Sequence, residues 1–146
     1  MLHTIRQVIG NDSTWRATLR GLHAEFGHKV VTGRQVQEYI SGHAGVDLRK
    51  VFEQYLTTTK IPVFEYRLDG PALTYRWSNV VPGFDMPIRV AVSPDSSVRL
   101  SPTEAWQTTA LALARQDDFH VDENFFVEPR RVEQTSGDSP AAGTGR

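Results

Sequence analysis

The chain has 146 residues, 39% of them hydrophobic and 23% charged, with 16 Lys and Arg against 17 Asp and Glu. These proportions fit a globular chain rather than a disordered one, and a net charge of -1 argues against a nucleic-acid binder, which carries a clearly basic face. No run approaches the length of a membrane-spanning helix, and the absence of cysteine excludes disulfides, thiolate catalysis and Cys-ligated zinc. The charge is uneven, however. Residues 1–61 hold 8 basic and 5 acidic side chains (+3), and residues 62–146 hold 8 and 12 (-4), which suggests two modules.

The first module reads as four helices. Leu2, Ile5 and Ile9 share one helical face, and Gly10, Asn11 and Asp12 supply a stop and a new N-cap. Trp15, Leu19, Leu22 and Phe26 then form an amphipathic stripe that ends at Gly27. Thr32 with Gln35 fits a capping box, with Val36, Tyr39 and Ile40 as the apolar face of that helix and Gly42 and Gly45 closing it. Asp47 caps a fourth helix whose buried side is Leu48, Val51, Phe52, Tyr55 and Leu56.

Beyond Lys60 the apolar period changes from 3.6 to 2. Phe64, Tyr66 and Leu68 alternate with polar residues, Asp69-Gly70-Pro71 makes a turn, and Leu73, Tyr75 and Trp77 return as the second arm of a hairpin. Ile88, Val90 and Val92 form a third strand, Val98 and Leu100 a fourth, and 119–128 one or two more. The stretch from Ala105 to Ala114 fits strand or helix equally, since Thr108 and Thr109 favour one and the Ala/Leu run the other. From about Glu133 onward Ser, Gly, Pro, Ala and Thr dominate. The expected architecture is α+β: a helical segment over 1–60, a small antiparallel β-sandwich over 61–130 and a disordered tail over 131–146.

Little in the residues themselves assembles chemistry. His23 and His28 flank Glu25 but stand five apart, about 140° from one another around a helix, whereas the HExxH zinc motif needs four. His43 lies between Gly42 and Gly45, and His120 sits among Asp117, Asp118 and Asp122, a charge group better read as solvated than as a cation site. No serine has nucleophile-elbow glycines and no phosphate loop is present. Trp77 and Trp106 would serve an aromatic platform only if they faced solvent; alternating aromatics more often fill a sandwich core.

Four stretches in order resemble the downstream part of the M1 family of zinc metallopeptidases, the alanyl-aminopeptidase type of gluzincin. They are Met1-Leu2-His3-Thr4-Ile5-Arg6; Trp15 to Phe26; Gly45-Val46-Asp47-Leu48 with Val51-Phe52-Glu53-Gln54-Tyr55-Leu56; and Ile61-Pro62 with Glu65-Tyr66. Tyr75-Arg76-Trp77 and Phe84-Asp85-Met86-Pro87 are similar to segments of the bacterial branch, so the likeness covers residues 1–92 well and 98–128 loosely. The resemblance implies the closing helices of a thermolysin-like catalytic domain followed by a β-sandwich. In that family the HExxH histidines and a Glu hold the zinc, and a Tyr stabilises the tetrahedral intermediate; all of them precede the segment that Met1 begins. None maps onto this sequence, so the expectation is a non-catalytic portion with no catalytic or metal-ligating residue and no cofactor of its own. Zinc and the peptide substrate belong to the full-length parent, and the upstream catalytic domain is the expected partner. The rival reading is a free-standing helical and β-sandwich module that binds a protein or glycan. A third is an autonomous hydrolase using His23 and His28.

Overall fold

Capping chemistry and apolar spacing set the four helices where the sequence places them: α1 (Leu2–Ile9), α2 (Asp12–Phe26), α3 (Gly33–Ala44) and α4 (Arg49–Thr57). The computed structural model describes residues 1–113 and 115–133. Gly10 adopts φ 66°, the left-handed geometry that ends α1, and Asn11 accepts the Thr14 N–H at 3.0 Å to start α2. Both halves of the Thr32–Gln35 capping box are formed at the start of α3. Gly42 lies inside that helix, so Gly45 alone closes it, with φ 69°. The fourth cap is displaced by one residue. Leu48 takes the cap position and is fully buried, while Asp47 accepts the Arg49 N–H at 3.0 Å from one residue further out.

Among the described residues seven strands follow: β1 (Val63–Asp69), β2 (Ala72–Ser78), β3 (Ile88–Ser93), β4 (Ser96–Leu100), β5 (Gln107–Ala110), β6 (His120–Val121) and β7 (Glu128–Arg131). They form a four-stranded sheet in the order β5-β2-β1-β7 and a three-stranded sheet in the order β4-β3-β6. Gly70, at φ 54°, makes the tight turn between β1 and β2. Within the ambiguous 105–114 stretch, residues 107–110 pair with β2 as a strand, and Ala114 lies outside the described residues. The sandwich is not purely antiparallel: β7 runs parallel to β1, with Val63 opposite Glu128. Pairing also runs past the expected end of the domain, since Arg131 is in β7 and the Val132 N–H donates to Tyr66 O at 2.8 Å. The tail expected as disordered falls, from residue 134, outside the described residues.

One continuous core joins helices and sheets. Ile5, Val8, Leu48, Val51 and Phe52 from the helices pack in the same buried cluster as Phe64, Leu73, Trp77, Phe84 and Ile88 from the strands. Trp77 is central: Phe64 and Phe84 meet it edge-on at 5.5 and 5.4 Å, and its indole N–H donates to Met86 O at 3.0 Å.

The helical stripes are less buried than their spacing implies. On α2 Trp15 and Thr18 are buried while Leu19 is 43% exposed, and on α1 Ile5 is buried while Leu2 is exposed. On α4 the expected core residue Leu56 faces out and Gln54 goes in, fully buried. A short helix that packs along one edge of a sandwich shows a narrower stripe to the core than one sunk in a bundle.

Gln54 ties the two segments together. Its Oε1 accepts the Val81 N–H at 2.7 Å, and its Nε2 donates to Lys60 O at 2.8 Å. A second tie comes from the other sheet, where Arg99 on β4 donates to the carbonyl of Val8 in the last turn of α1. That contact satisfies an end carbonyl with a cation where the helix dipole favours one. Arg99→Met should therefore cost about 1.5–3 kcal/mol in urea unfolding, a range set by the net worth of a charge-assisted bond. An unchanged midpoint would show that water replaces it fully.

Asp47 gives the helical segment a pH signature. Bonds from the Arg49 side chain and then from its backbone N–H hold the Asp47 carboxyl at about 2, below the usual 3.8. A lowered folded-state value means stability that is complete above about pH 4 and lost as pH falls toward 2. Both side chains are exposed, so the effect is small. The stability gap between the parent and Asp47→Asn should close over that window; a gap constant from pH 6 to pH 2 would assign the difference to packing instead.

Candidate functional site at the helix–sandwich junction

The segment between β6 and β7, residues 122–127, carries the contacts that close the junction. Asp122 folds it locally by accepting the Asn124 backbone and side-chain N–H groups at 2.9 and 2.7 Å, and Arg89 lies 3.5 Å from the same carboxylate group. Asn124 Oδ1 then meets His3 Nε2 on α1 at 2.8 Å. The Phe126 N–H donates to Thr4 Oγ1 at 3.1 Å, and the Tyr55 hydroxyl of α4 donates to Phe126 O at 2.7 Å. Burial pushes the Tyr55 hydroxyl above its usual pKa, so it stays protonated and donates throughout the physiological range.

Between α1 and this segment opens a cavity of about 500 Å³, lined by Met1, His3, Phe125, Phe126, Val127 and Glu123 among others. Its size and apolar floor are those of a small-molecule site. Its polar groups are mostly committed to one another: His3 to Asn124, Thr4 to Phe126 and Asp122 to Asn124. They hold a joint in place, and no nucleophile–base pair is formed among them.

The residues singled out by sequence are scattered. His23 lies in the last turn of α2, where its carbonyl accepts the Gly27 N–H at 2.8 Å, and His28 follows the helix in a left-handed conformation, φ 64°. Both are exposed. His43 stacks on Tyr39 at 3.8 Å between ring centres and bonds to Tyr39 O at 2.9 Å. His120 bonds through Nδ1 to Asp118 O at 3.2 Å, while Asp122 turns instead toward Asn124 and Arg89. Among the described residues no group of three or more His, Asp or Glu could hold a metal ion, and the chain has no cysteine. Trp77 and Trp106 do not form a platform together: Trp77 is buried at the centre of the core, and Trp106 is 38% exposed. Likewise among the described residues, no helix is long and apolar enough to cross a membrane.

The junction itself was not legible in advance. Its partners, Thr4, Tyr55 and residues 124–126, are separated by 50 to more than 100 positions. The local signal is the Phe125-Phe126 pair, one ring buried (5% exposed) and the other out (54%). The stretch expected as strand over 119–128 instead turns at 122–127, between β6, which is two residues long, and β7. No family model matches the chain, and no curated protein matches it.

Proposed function

We propose that this chain is the non-catalytic downstream part of an M1-type zinc aminopeptidase, in which its helices brace the active-site floor and its sandwich packs beside them. The observation that carries this reading is where the family-like residues fall. Leu48, Val51, Phe52, Gln54 and Pro62, from the two stretches nearest the boundary, are all buried at the seam between helices and sandwich. Burial at this seam supports a structural role for these stretches. The helical side also leaves Leu2, Leu19 and Leu56 exposed, apolar area suited to a further domain. In the parent, zinc would supply the activated water; the residues here would only position the elements around it.

The test pairs the chain with the segment encoded directly upstream. Co-expressed, the two should form a stable complex that hydrolyses aminoacyl-anilides and loses activity to a chelator, while this chain alone gives blank rates. Chelator-sensitive turnover by the chain alone, or an upstream segment without HExxH, would overturn the reading.

A further inference from the structure

We propose that the outer face of the four-stranded sheet around Trp106 binds a uronate residue of an acidic glycan. This site is independent of the peptidase reading.

Trp106 precedes β5 and lies outside the core, with 38% of its surface accessible. The guanidinium carbons of Arg67 on β1 and Arg76 on β2 each sit 4.5 Å from its ring centre. The two arginines differ in what else they do. Arg76 donates to Glu65 at 2.7 Å, whereas among the described residues no ion pair holds Arg67. The indole thus orients a guanidinium whose planar fork of N–H donors is left for a ligand, and that fork matches a carboxylate.

Beside Arg67 lies a cleft of about 650 Å³, lined also by Thr74, Thr108, Asp69, Arg131 and Glu133. Thr74 and Thr108 face one another across β2 and β5 with their hydroxyls 2.9 Å apart. One O–H bonds the pair together, so one O–H and several lone pairs remain for a ligand. Asp69 and Glu133 add negative charge beside Arg67 and Arg131, which suits one carboxylate and repels a run of them. A uronate meets all three features. Its carboxylate takes Arg67 and its ring hydroxyls take the threonine pair, while the indole, outside the cleft, acts by holding the Arg67 guanidinium. An acidic peptide supplies many carboxylates and no ring hydroxyls.

The experiment is a titration of the ¹⁵N-labelled chain with a two-residue oligogalacturonate, read at the Arg67 Nε–H and the Trp106 indole N–H. Saturable shifts in the low-millimolar range are expected, with binding about tenfold or more weaker in Arg67→Gln and in Trp106→Ala. Thermal melts of both variants report that the fold is kept, as neither side chain is in the core. The neutral disaccharide galactobiose should also bind about tenfold or more weaker, because it lacks the carboxylate. Absence of saturable shifts overturns the proposal, and so does tetraglutamate binding as tightly as the uronate.

Discussion

Gln54→Leu should lower the unfolding free energy by about 3–4 kcal/mol, among the largest effects of any single substitution near the seam. Leucine fills much of the same volume, so little of this is cavity formation. The loss comes chiefly from the buried Val81 N–H, left without an acceptor, and in part from the Lys60 carbonyl, both of which bond to the Gln54 amide. Each buried group without a partner costs about 1–3 kcal/mol. Gln54→Glu separates the two halves of the interaction. Its carboxylate can still accept from Val81 but cannot donate to Lys60, and it places a charge where glutamine is fully buried. That variant should recover part of its lost stability as pH falls and the carboxyl protonates. Urea titrations at pH 7 and pH 4.5 measure both effects. A Gln54→Leu midpoint close to the parent's would mean that the loop from Lys60 to Val81 rearranges to admit water.

Trp77→Ala should cost about 3–5 kcal/mol, the range for deleting a large buried aromatic. The substitution removes the edge contacts with Phe64 and Phe84 and leaves Met86 O without its indole donor. How the loss is distributed matters as much as its size. Since helices and strands share one core, the far-UV helical signal and the near-UV aromatic signal should lose stability together in a single transition. A helical signal that outlasts the aromatic one would mean that residues 1–60 hold together without the sandwich.

Local chemistry made much of this fold legible, and the limits are instructive. Gly10 with Asn11, the Thr32–Gln35 box and the Asp69-Gly70 turn are set by neighbours within a few residues, and each is found where the sequence places it. Strand alternation likewise marks the buried face of β2 at Leu73, Tyr75 and Trp77, whereas in β1 the polar Glu65 is buried and Tyr66 and Leu68 are only half-buried. What periodicity could not supply is which part of an apolar stripe finds a partner. Leu19 and Leu56 lie on correct helical faces and remain exposed, while the polar Thr18 and Gln54 are buried because hydrogen-bond partners await them: the Thr14 carbonyl for one, the seam backbone for the other. The parallel pairing of β7 and the ties from Asn124 and Phe126 to α1 depend on distant residues, and no local pattern encodes them. The same holds for the Arg67–Trp106 contact, which needs the β2–β5 pairing to exist first.

The parallel strand β7 also has a consequence for the order of assembly. It pairs with β1 across more than sixty intervening residues, and the neighbouring Phe126–Thr4 bond spans 122 positions. Closing such distant contacts is slow, since chain entropy is lost before the contacts repay it. On the ribosome, α1 emerges well before its Asn124 and Phe126 partners and cannot acquire them until residues 124–126 have been made. Until then Ile5 and Val8 lack part of their cover, and the unpaired edge of β1 is open to pairing with other chains. Nascent chains that stall between residues 80 and 120 are therefore the aggregation-prone species, and a chaperone that shields the first helix and the β1 edge during that interval would raise the yield of folded protein.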